Sequence, residues 1–471
     1  MKKHSQKRKL TNTRSSNNLG VSVIIEDLNS HPKCPHGPTL LFSKEIKKIK
    51  RTFFGCSACR DRKLCQFFLL KYDKINISKS KLQAWENERI KLLKGINHRK
   101  SYILLNKIKA LDSNQRTFCI TCSEFTLPQE HKDHALINGI TDYQLQHPSE
   151  ILPPLENAKK EAQYLFSKDS VEFIVNTFLK LNYKHVICVG TPRIHEHIQT
   201  LNSNLSSILL DFDKRFHNFF GPLEYCWFNM FNNYFFFEEA SKVFQDYLKG
   251  TGGKDTVLVT DPPFGGRSEP LIYTFSHISN QYKRLAHNEL PIFWIFPYFM
   301  EPQIVNFSQN FQMLDYKVQY DNHPLFHNGI TGRKQGSPVR IFTNVSLSQI
   351  ALPEPEYKYC RKCNRWVAQE NKHCNTCERC PSKNGQTYKH CNLCGKCVKP
   401  NWKHCSTCCK CVQTTHSCEK IVFNGMCLFC KETGHKKVDC PNLQESKLII
   451  EKRKRNYNDS AKKKRKNKPV V

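Results

Sequence analysis

A mostly parallel α/β sheet, flanked on both sides by several small metal-binding modules, is the architecture this sequence predicts. Two observations predict it. Between residues 151 and 350 short apolar runs alternate with segments of helical periodicity, and cysteine is rare. Outside that stretch most of the 24 cysteines crowd into Cys-x-x-Cys pairs beside histidines. Strands alternating with helices pair in parallel and carry helices on both faces, whereas cysteine pairs at this spacing read as zinc ligands rather than disulfides.

Within the core, the strand candidates are 184–190, 206–212, 255–260, 291–299, 311–320 and 338–344, and the helix candidates include 168–181, 236–249 and 271–287. No helix separates the last two strands, so they read as an antiparallel pair on a Rossmann-like sheet. The run Val257–Thr260 leads straight into Asp261-Pro262-Pro263-Phe264. That tetrapeptide therefore sits at the carboxyl end of a strand, where open α/β sheets bind ligands. Its residue types suit chemistry on an exocyclic amine, a poor nucleophile because its lone pair delocalises into the ring. The Asp261 carboxylate and the Pro262 carbonyl are two acceptors for its N–H groups and favour a pyramidal nitrogen. Pro262 and Pro263 stiffen the loop. Phe264 offers a face to an extruded base, and Gly265 and Gly266 permit close backbone approach.

The tetrapeptide resembles the [D/N]-P-P-[F/Y/W] loop of amino-methyltransferases that use S-adenosylmethionine. The resemblance directs attention to a cofactor pocket upstream. Gly190, in Cys188-Val189-Gly190-Thr191, ends the first strand. Asp211 ends the next, 21 residues on, where an acid can accept both ribose hydroxyls, with Asp213 as the competing choice. Gln163, Tyr164, Leu165 and Phe166 are placed to close over the methionine end, Arg193 to pair with its carboxylate, and Asn229, Met230 and Phe231 to frame the adenine. Asp261 borders the same pocket.

Four metal modules surround the core. Cys34, His36, Cys56 and Cys65 look like a GRF-type finger, a single-strand nucleic-acid binder, with Cys59 as the alternative fourth ligand. Cys119 and Cys122 with His131 and His134 form a shortened C2H2 arrangement, in which His147 competes with His131. From Cys360 to Cys418 a His-Cys-x2-Cys-x2-Cys unit recurs at 373–380, 390–397 and 404–411. Leaving out Cys409, its sixteen candidate ligands are enough for four zinc sites, with no pairing legible. The spacing resembles the cysteine-rich domain of palmitoyltransferases, but the Asp-His-His-Cys signature is absent. Cys427, Cys430, His435 and Cys440 have the spacing of a CCHC knuckle, a single-stranded RNA module in which Phe429 is placed to stack on a base.

In this order, the modules resemble the CCHC zinc-finger rRNA N6-adenosine methyltransferases of eukaryotes, which act on large-subunit (28S) rRNA. The likeness spans roughly 31–442 and includes QYLF (163–166), CVGTPR (188–193), FNMFN (228–232), DPPFGG (261–266) and LPIFWIFPYF (290–299); it departs at the histidine spacing of the second finger and in the tails. It implies S-adenosylmethionine as methyl donor, structural Zn2+, an rRNA substrate, and ribosome-assembly factors or an RNA helicase as company. The fold class is thus an α/β, Rossmann-like class I methyltransferase domain flanked by small zinc-binding domains. The expected parts are a disordered basic arm (1–30), the GRF-type finger (31–75), a helical linker with the C2H2-type finger (76–150), the methyltransferase domain (151–350), the Cys/His-rich region (356–422), the knuckle (423–443) and a basic tail (444–471). A DNA amino-methyltransferase and a non-catalytic ribosome-assembly protein are the competing readings.

Charge agrees with a polyanionic partner. The chain of 471 residues carries 73 Lys and Arg against 41 Asp and Glu, a formal +32, and basic side chains gain affinity by displacing counterions from phosphates. The tail alone holds eleven Lys and Arg against three acids in blocks that read as nuclear targeting. The expected location is the nucleus and nucleolus, with the cytoplasm second. The basic N-terminus lacks an apolar signal core, and no apolar run is long enough to span a bilayer, so no membrane partner is expected.

Overall fold

The computed structural model describes residues 21–46, 49–59, 61–126, 131, 133–155, 163–307, 309–327, 332–416, 418, 423–426 and 433–434. Residues 1–20, the basic tail and the four ligands of the CCHC knuckle lie outside them; the rest of the arm expected over 1–30 is ordered instead, because Val21–Ile24 pairs with Leu41–Lys44. The described residues fall into two compact units. The larger runs to Asn371 and takes back Lys383–Gly385; the smaller holds Lys372–Ser382 and the chain from Gln386 onward.

The larger unit is organised by one sheet. Its chain order is α1 (Lys168–Lys180), β1 (His185–Val189), α2 (Pro192–Thr200), β2 (Ser206–Asp211), β3 (Tyr225–Asn229), β4 (Tyr234–Phe235), α3 (Glu238–Gly250), β5 (Thr256–Thr260), α4 (Ser268–Ala286), β6 (Ile292–Pro297), β7 (Gln312–Leu314) and β8 (Val339–Thr343). In space the strands lie β4-β3-β2-β1-β5-β6-β8-β7. Strands β3, β2, β1, β5 and β6 are parallel; β8 runs antiparallel to both β6 and β7. This is a doubly wound sheet with two reversed strands, β8 inserted near one edge and β4 closing the other, antiparallel to β3. The order reverses between β1 and β5, which opens a crevice at their carboxyl ends.

The central strands are apolar throughout because both faces are covered. Val186 and Cys188 of β1 join the cluster containing Ile174 and Ile194, on the side of α1 and α2. Ile187 and Val189 point the other way, into the cluster with Phe244 of α3 and Leu271 of α4. Burying each such side chain contributes about 1.5–3 kcal/mol. Together they hold the loops after β1 and β5 on a rigid floor.

Two smaller sheets precede this core. Strands Val21–Ile24, Leu40–Ile46, Ile49–Gly55 and Phe68–Leu70 make an antiparallel four-stranded sheet. Strands Thr117–Cys119, Glu124–Thr126 and Leu136–Asn138 make a three-stranded one. Between them the expected helical linker forms two helices, Lys79–Leu93 and His98–Lys109. The break falls at Gly95, whose φ of +82° suits glycine, and Asn97 caps the second helix by accepting from the Lys100 N–H. The smaller unit contains hairpins Lys389–Cys391/Lys396–Val398 and Trp402–Cys405/Lys410–Gln413. Among the described residues, no helix is long and apolar enough to cross a membrane.

Candidate active site and metal centres

Asp261 follows β5 directly, and its N–H reaches back to the Val189 carbonyl at 3.4 Å. The catalytic-loop candidate and the turn after β1 therefore meet at the strand-order reversal. Gly190 has φ +66°, and a Cβ there would come within 2.7 Å of Met230 Cε and 3.5 Å of the Asp261 carbonyl. The left-handed backbone favours glycine here; a Cβ would push aside only the flexible tip of Met230 and would meet the Asp261 carbonyl at ordinary contact distance. The loop closes on itself as the Gly266 N–H donates to the Pro263 carbonyl at 2.6 Å. The Phe231 ring packs where a side chain at Gly266 would stand.

The Asp261 carboxylate accepts the Tyr320 hydroxyl at 3.1 Å (Oδ1) and 3.0 Å (Oδ2). Burial pushes its carboxyl well above the usual range, while the Tyr320 bond acts in the opposite sense. Phe264 stands in an aromatic wall: its ring stacks with Tyr164 at 5.8 Å, meets Tyr320 edge-on at 5.8 Å and leans on Phe326 at 6.1 Å. His323 stacks on Phe326 at 3.6 Å and contacts Tyr164 at 4.5 Å.

The segment Gln163–Phe166 runs beside this wall, tied to it by an isolated bridge and three hydrogen bonds. Phe166 bridges Tyr320, the Asp321 N–H donates to the Leu165 carbonyl at 2.9 Å, and Asn322 clasps the segment through Leu165 N–H (2.7 Å) and the Gln163 carbonyl (2.8 Å). At the end of β2, Asp213 is committed to Arg215 (2.7 Å) and caps the turn that follows. Asp211 is left as the strand-end acid; burial pushes its carboxyl up to about 7. A Cβ-free turn beside a buried acid on the adjacent strand fits the ribose and methionine ends of S-adenosylmethionine.

Two residues do other work than the sequence suggests. Arg193, expected to pair with the cofactor carboxylate, donates to the Phe166 carbonyl (2.6 Å), pairs with Asp321 and Glu150, and donates to Ser149 Oγ (3.3 Å). It clamps the chain around the site and has little left for a ligand. Asn229, expected to frame the adenine, turns its amide toward the first finger, donating to the His36 carbonyl (3.0 Å) and Ser57 Oγ (2.9 Å), while its Oδ1 accepts the Phe231 N–H (3.0 Å). Asn232 adds bonds to the His36 and Pro38 carbonyls.

In the first finger the ligand atoms of Cys34, His36, Cys56 and Cys65 lie within 4.8 Å of one another, a soft donor set that fits tetrahedral zinc. Cys59 stands beside them, 3.7 Å from His36 Nε2, and its N–H donates to Cys56 Sγ. In the second, Cys119, Cys122, His131 and His134 converge in the same way. His131 Nδ1 is 3.3 Å from Cys122 Sγ, whereas His147 bonds the Tyr143 carbonyl and stacks on that ring. His131 is therefore the histidine that joins His134.

Residues 157–335 match the family model described as a probable N6-adenine methyltransferase. The chain is 44% identical over 451 residues to the rRNA N(6)-adenosine-methyltransferase ZCCHC4 of Homo sapiens, covering 92% of this chain and 87% of that protein. It is 45% identical over 449 residues to the protein of the same name from Xenopus laevis, covering 92% and 91%, and 45% identical over 449 residues to that of Mus musculus, covering 92% and 87%. The chain belongs to the ZCCHC4 family of rRNA N(6)-adenosine-methyltransferases. A ZCCHC4-family methyltransferase uses S-adenosylmethionine as its methyl donor, and the Cys/His clusters are compatible with the zinc fingers of this family.

The repeats of this ZCCHC4-family chain interlock. Cys374 and Cys377 converge with His390 and Cys397, and Cys391 and Cys394 with His404 and Cys411. Cys405 and Cys408 approach His416 and Cys418, with His416 Nε2 3.1 Å from Cys418 Sγ and 3.7 Å from Cys408 Sγ. Each Cys-x-x-Cys takes its remaining partners from the sequence that follows. Cys409 stays outside, exposed, its thiol on the Ser406 carbonyl. Cys427, Cys430, His435 and Cys440 of the knuckle lie outside the described residues, as does Phe429.

Tyr320, His323 and Phe326 were not expected at the site. Their signal is an aromatic or imidazole ring at every third position, from the last residue of a predicted strand into a polar segment.

Proposed function

We propose that this chain transfers a methyl group to N6 of an adenosine in large-subunit (28S) rRNA. The observation that carries the reading is the Asp261–Phe264 loop set against the Gly190 turn at the strand-order reversal, in a chain whose relatives are named rRNA N(6)-adenosine-methyltransferases.

When bound, S-adenosylmethionine supplies an electrophilic methyl group. Asp261 and the Pro262 carbonyl hold the two N–H groups of the adenine amine and free its lone pair. Forming the N–C bond would break the donor's S–C bond, with a neutral thioether leaving and positive charge passing to the nitrogen; the Asp261 carboxylate would face that charge, and its burial-raised proton affinity suits it to take the departing proton. Phe264 and Tyr164 hold the flipped base by stacking. Asp211 binds the ribose of the donor. Gly190, Met230 and Phe231 shape the floor, and Gln163–Phe166 its wall.

The fingers and the basic stretch His327–Lys334, whose residues 328–331 lie outside the described set, grip the RNA backbone. In the smaller unit, the ladders place Lys389 and Lys396 on one face of their hairpin, and Lys403 and Lys410 likewise, all exposed. Such paired cations suit a phosphate chain. The basic blocks of the tail support a nuclear and nucleolar location, with the cytoplasm second, and ribosome-assembly factors or an RNA helicase as company.

The test is methyl transfer to rRNA with the full chain, mapped by nucleoside mass spectrometry. Asp261→Ala should abolish N6-methyladenosine while leaving RNA affinity within about twofold, because positioning and charge stabilisation are lost but not the grip. Equal turnover by the variant would sink the mechanism. Turnover on a DNA of the same sequence would move the substrate to DNA.

A further inference from the structure

We propose that Tyr320 is a positioning residue for methyl transfer: its buried hydroxyl grips both carboxylate oxygens of Asp261 and releases one of them, already oriented, to the incoming amine. The inference rests on the functional reading above and extends it to a residue 59 positions away in sequence.

The geometry is over-determined on the tyrosine side. Tyr320 is 0% exposed. Its ring stacks on Phe166 at 5.2 Å and meets Phe264 and Tyr164 edge-on at 5.8 and 6.0 Å. Its N–H donates to the Phe326 carbonyl at 2.9 Å, and its backbone bridges Phe166. The next residue, Asp321, is held by Arg193, which is itself tied to Glu150 and Ser149. Ring and backbone are both fixed, so the hydroxyl can only point at Asp261. A buried phenol must find an acceptor, and a bifurcated bond to both carboxylate oxygens leaves lone pairs on each for a second donor.

The chemistry favours a phenol over a cation at this place. Asp261 must stay ionised to accept N–H bonds from the amine, yet burial drives it toward the neutral acid. A hydrogen bond to the anion opposes that drive. A lysine or arginine would do so more strongly, but it would repel the positive charge that develops on the nitrogen. A neutral hydroxyl orients the carboxylate without that penalty. Tyr320 is the titratable side chain bonded to the carboxylate; Tyr164 and His323 stand in the aromatic wall beside Tyr320, Cys188 lies on the adjacent β1, Asp211 ends β2, and Arg193 pairs with Asp321, next to Tyr320 in the chain.

The sign follows. Tyr320 lowers the proton affinity of Asp261, so losing the hydroxyl raises it, and the acid limb of the kcat profile moves to higher pH. The experiment compares the wild-type full chain with Tyr320→Phe on an rRNA fragment, reading kcat and KM across pH. The expected result is a roughly ten- to hundredfold fall in kcat at neutral pH, the size of a charge-assisted hydrogen bond, with an acid limb shifted upward by about one to two pH units and KM for RNA within about twofold. Partial recovery of kcat at alkaline pH should accompany it. Fluorotyrosine installed at position 320, a stronger donor of the same shape, should move the limb the other way, and it answers the question even if the phenylalanine variant is unstable. A uniform loss of rate with an unshifted limb, or no loss at all, overturns the proposal. A wild-type chain that methylates no RNA overturns instead the functional reading beneath it.

Discussion

Replacing Asn229 by alanine separates two accounts of this residue. In the structure its side chain makes three hydrogen bonds, to the His36 carbonyl at 3.0 Å, Ser57 Oγ at 2.9 Å and the Phe231 N–H at 3.0 Å, at a position 1% exposed. The His36 carbonyl keeps the Asn232 amide at 3.1 Å, so it is not orphaned. The Phe231 N–H loses its Asn229 acceptor. Two donor bonds at about 1 kcal/mol each, with about 1 kcal/mol for the partly buried amide, give about 3 kcal/mol for the seam between the first finger and the core. That corresponds to roughly hundredfold more frequent opening of the finger. Hydrogen exchange across 31–70 and the rate of zinc capture by a chelator read this directly. Asn229→Asp keeps the Phe231 bond but sets a carboxylate against a carbonyl, and should open the seam at least as much. If Asn229→Ala exchanges and releases zinc at wild-type rates while its affinity for S-adenosylmethionine collapses, the seam carries no energy and the residue belongs to the adenine pocket after all.

Further outcomes are expected around the cofactor. Asp211 is pushed up to about 7 by burial, and in the proposed role its ionised form accepts from the ribose hydroxyls. Affinity for S-adenosylmethionine should therefore strengthen as pH rises between about 6 and 8 and level off above, and Asp211→Asn should flatten that dependence in calorimetry. Arg193→Ala should lower the melting temperature by an amount equivalent to about 1–3 kcal/mol, discounted because Asp321 and Glu150 are half-exposed, with cofactor affinity within about threefold. A tenfold loss of affinity at unchanged stability would return Arg193 to the methionine carboxylate.

The legible parts of the fold were those in which burial leaves a simple pattern. Strands β1 and β5 are covered on both faces, so they read as unbroken apolar runs, and the loop after β5 stood out against that run. Strand β3 did not, since Tyr225-Cys226-Trp227-Phe228-Asn229 is rich in aromatic residues that suit either state. Helix α2 was hidden because its buried face includes His195 and Glu196 beside Ile194 and Ile198. The run 311–320 looked like one strand, but its ladder with β8 covers Gln312–Leu314, Val318 adds a single bond to the Val339 carbonyl, and Tyr320 bridges Phe166 instead. The site divided in the same way. Asp261 and Gly190 announce themselves by local chemistry. Tyr320 and the roles of Arg193 and Asn229 depend on partners from 27 to 193 residues distant in sequence, which no local pattern encodes. Choosing His131 over His147 likewise needed the position of Tyr143.

The relay of ligands along the C-terminal repeats has a consequence for how this segment can change over generations. No repeat is complete by itself: each lends a cysteine pair forward and a histidine and cysteine backward. Excising residues 390–403 as a block would bring Cys374 and Cys377 into phase with His404 and Cys411 and leave a shorter array still closed. Excising half as much would strand thiols at a broken joint. Length in this region is therefore quantised, and insertions that survive will be those that add a whole repeat.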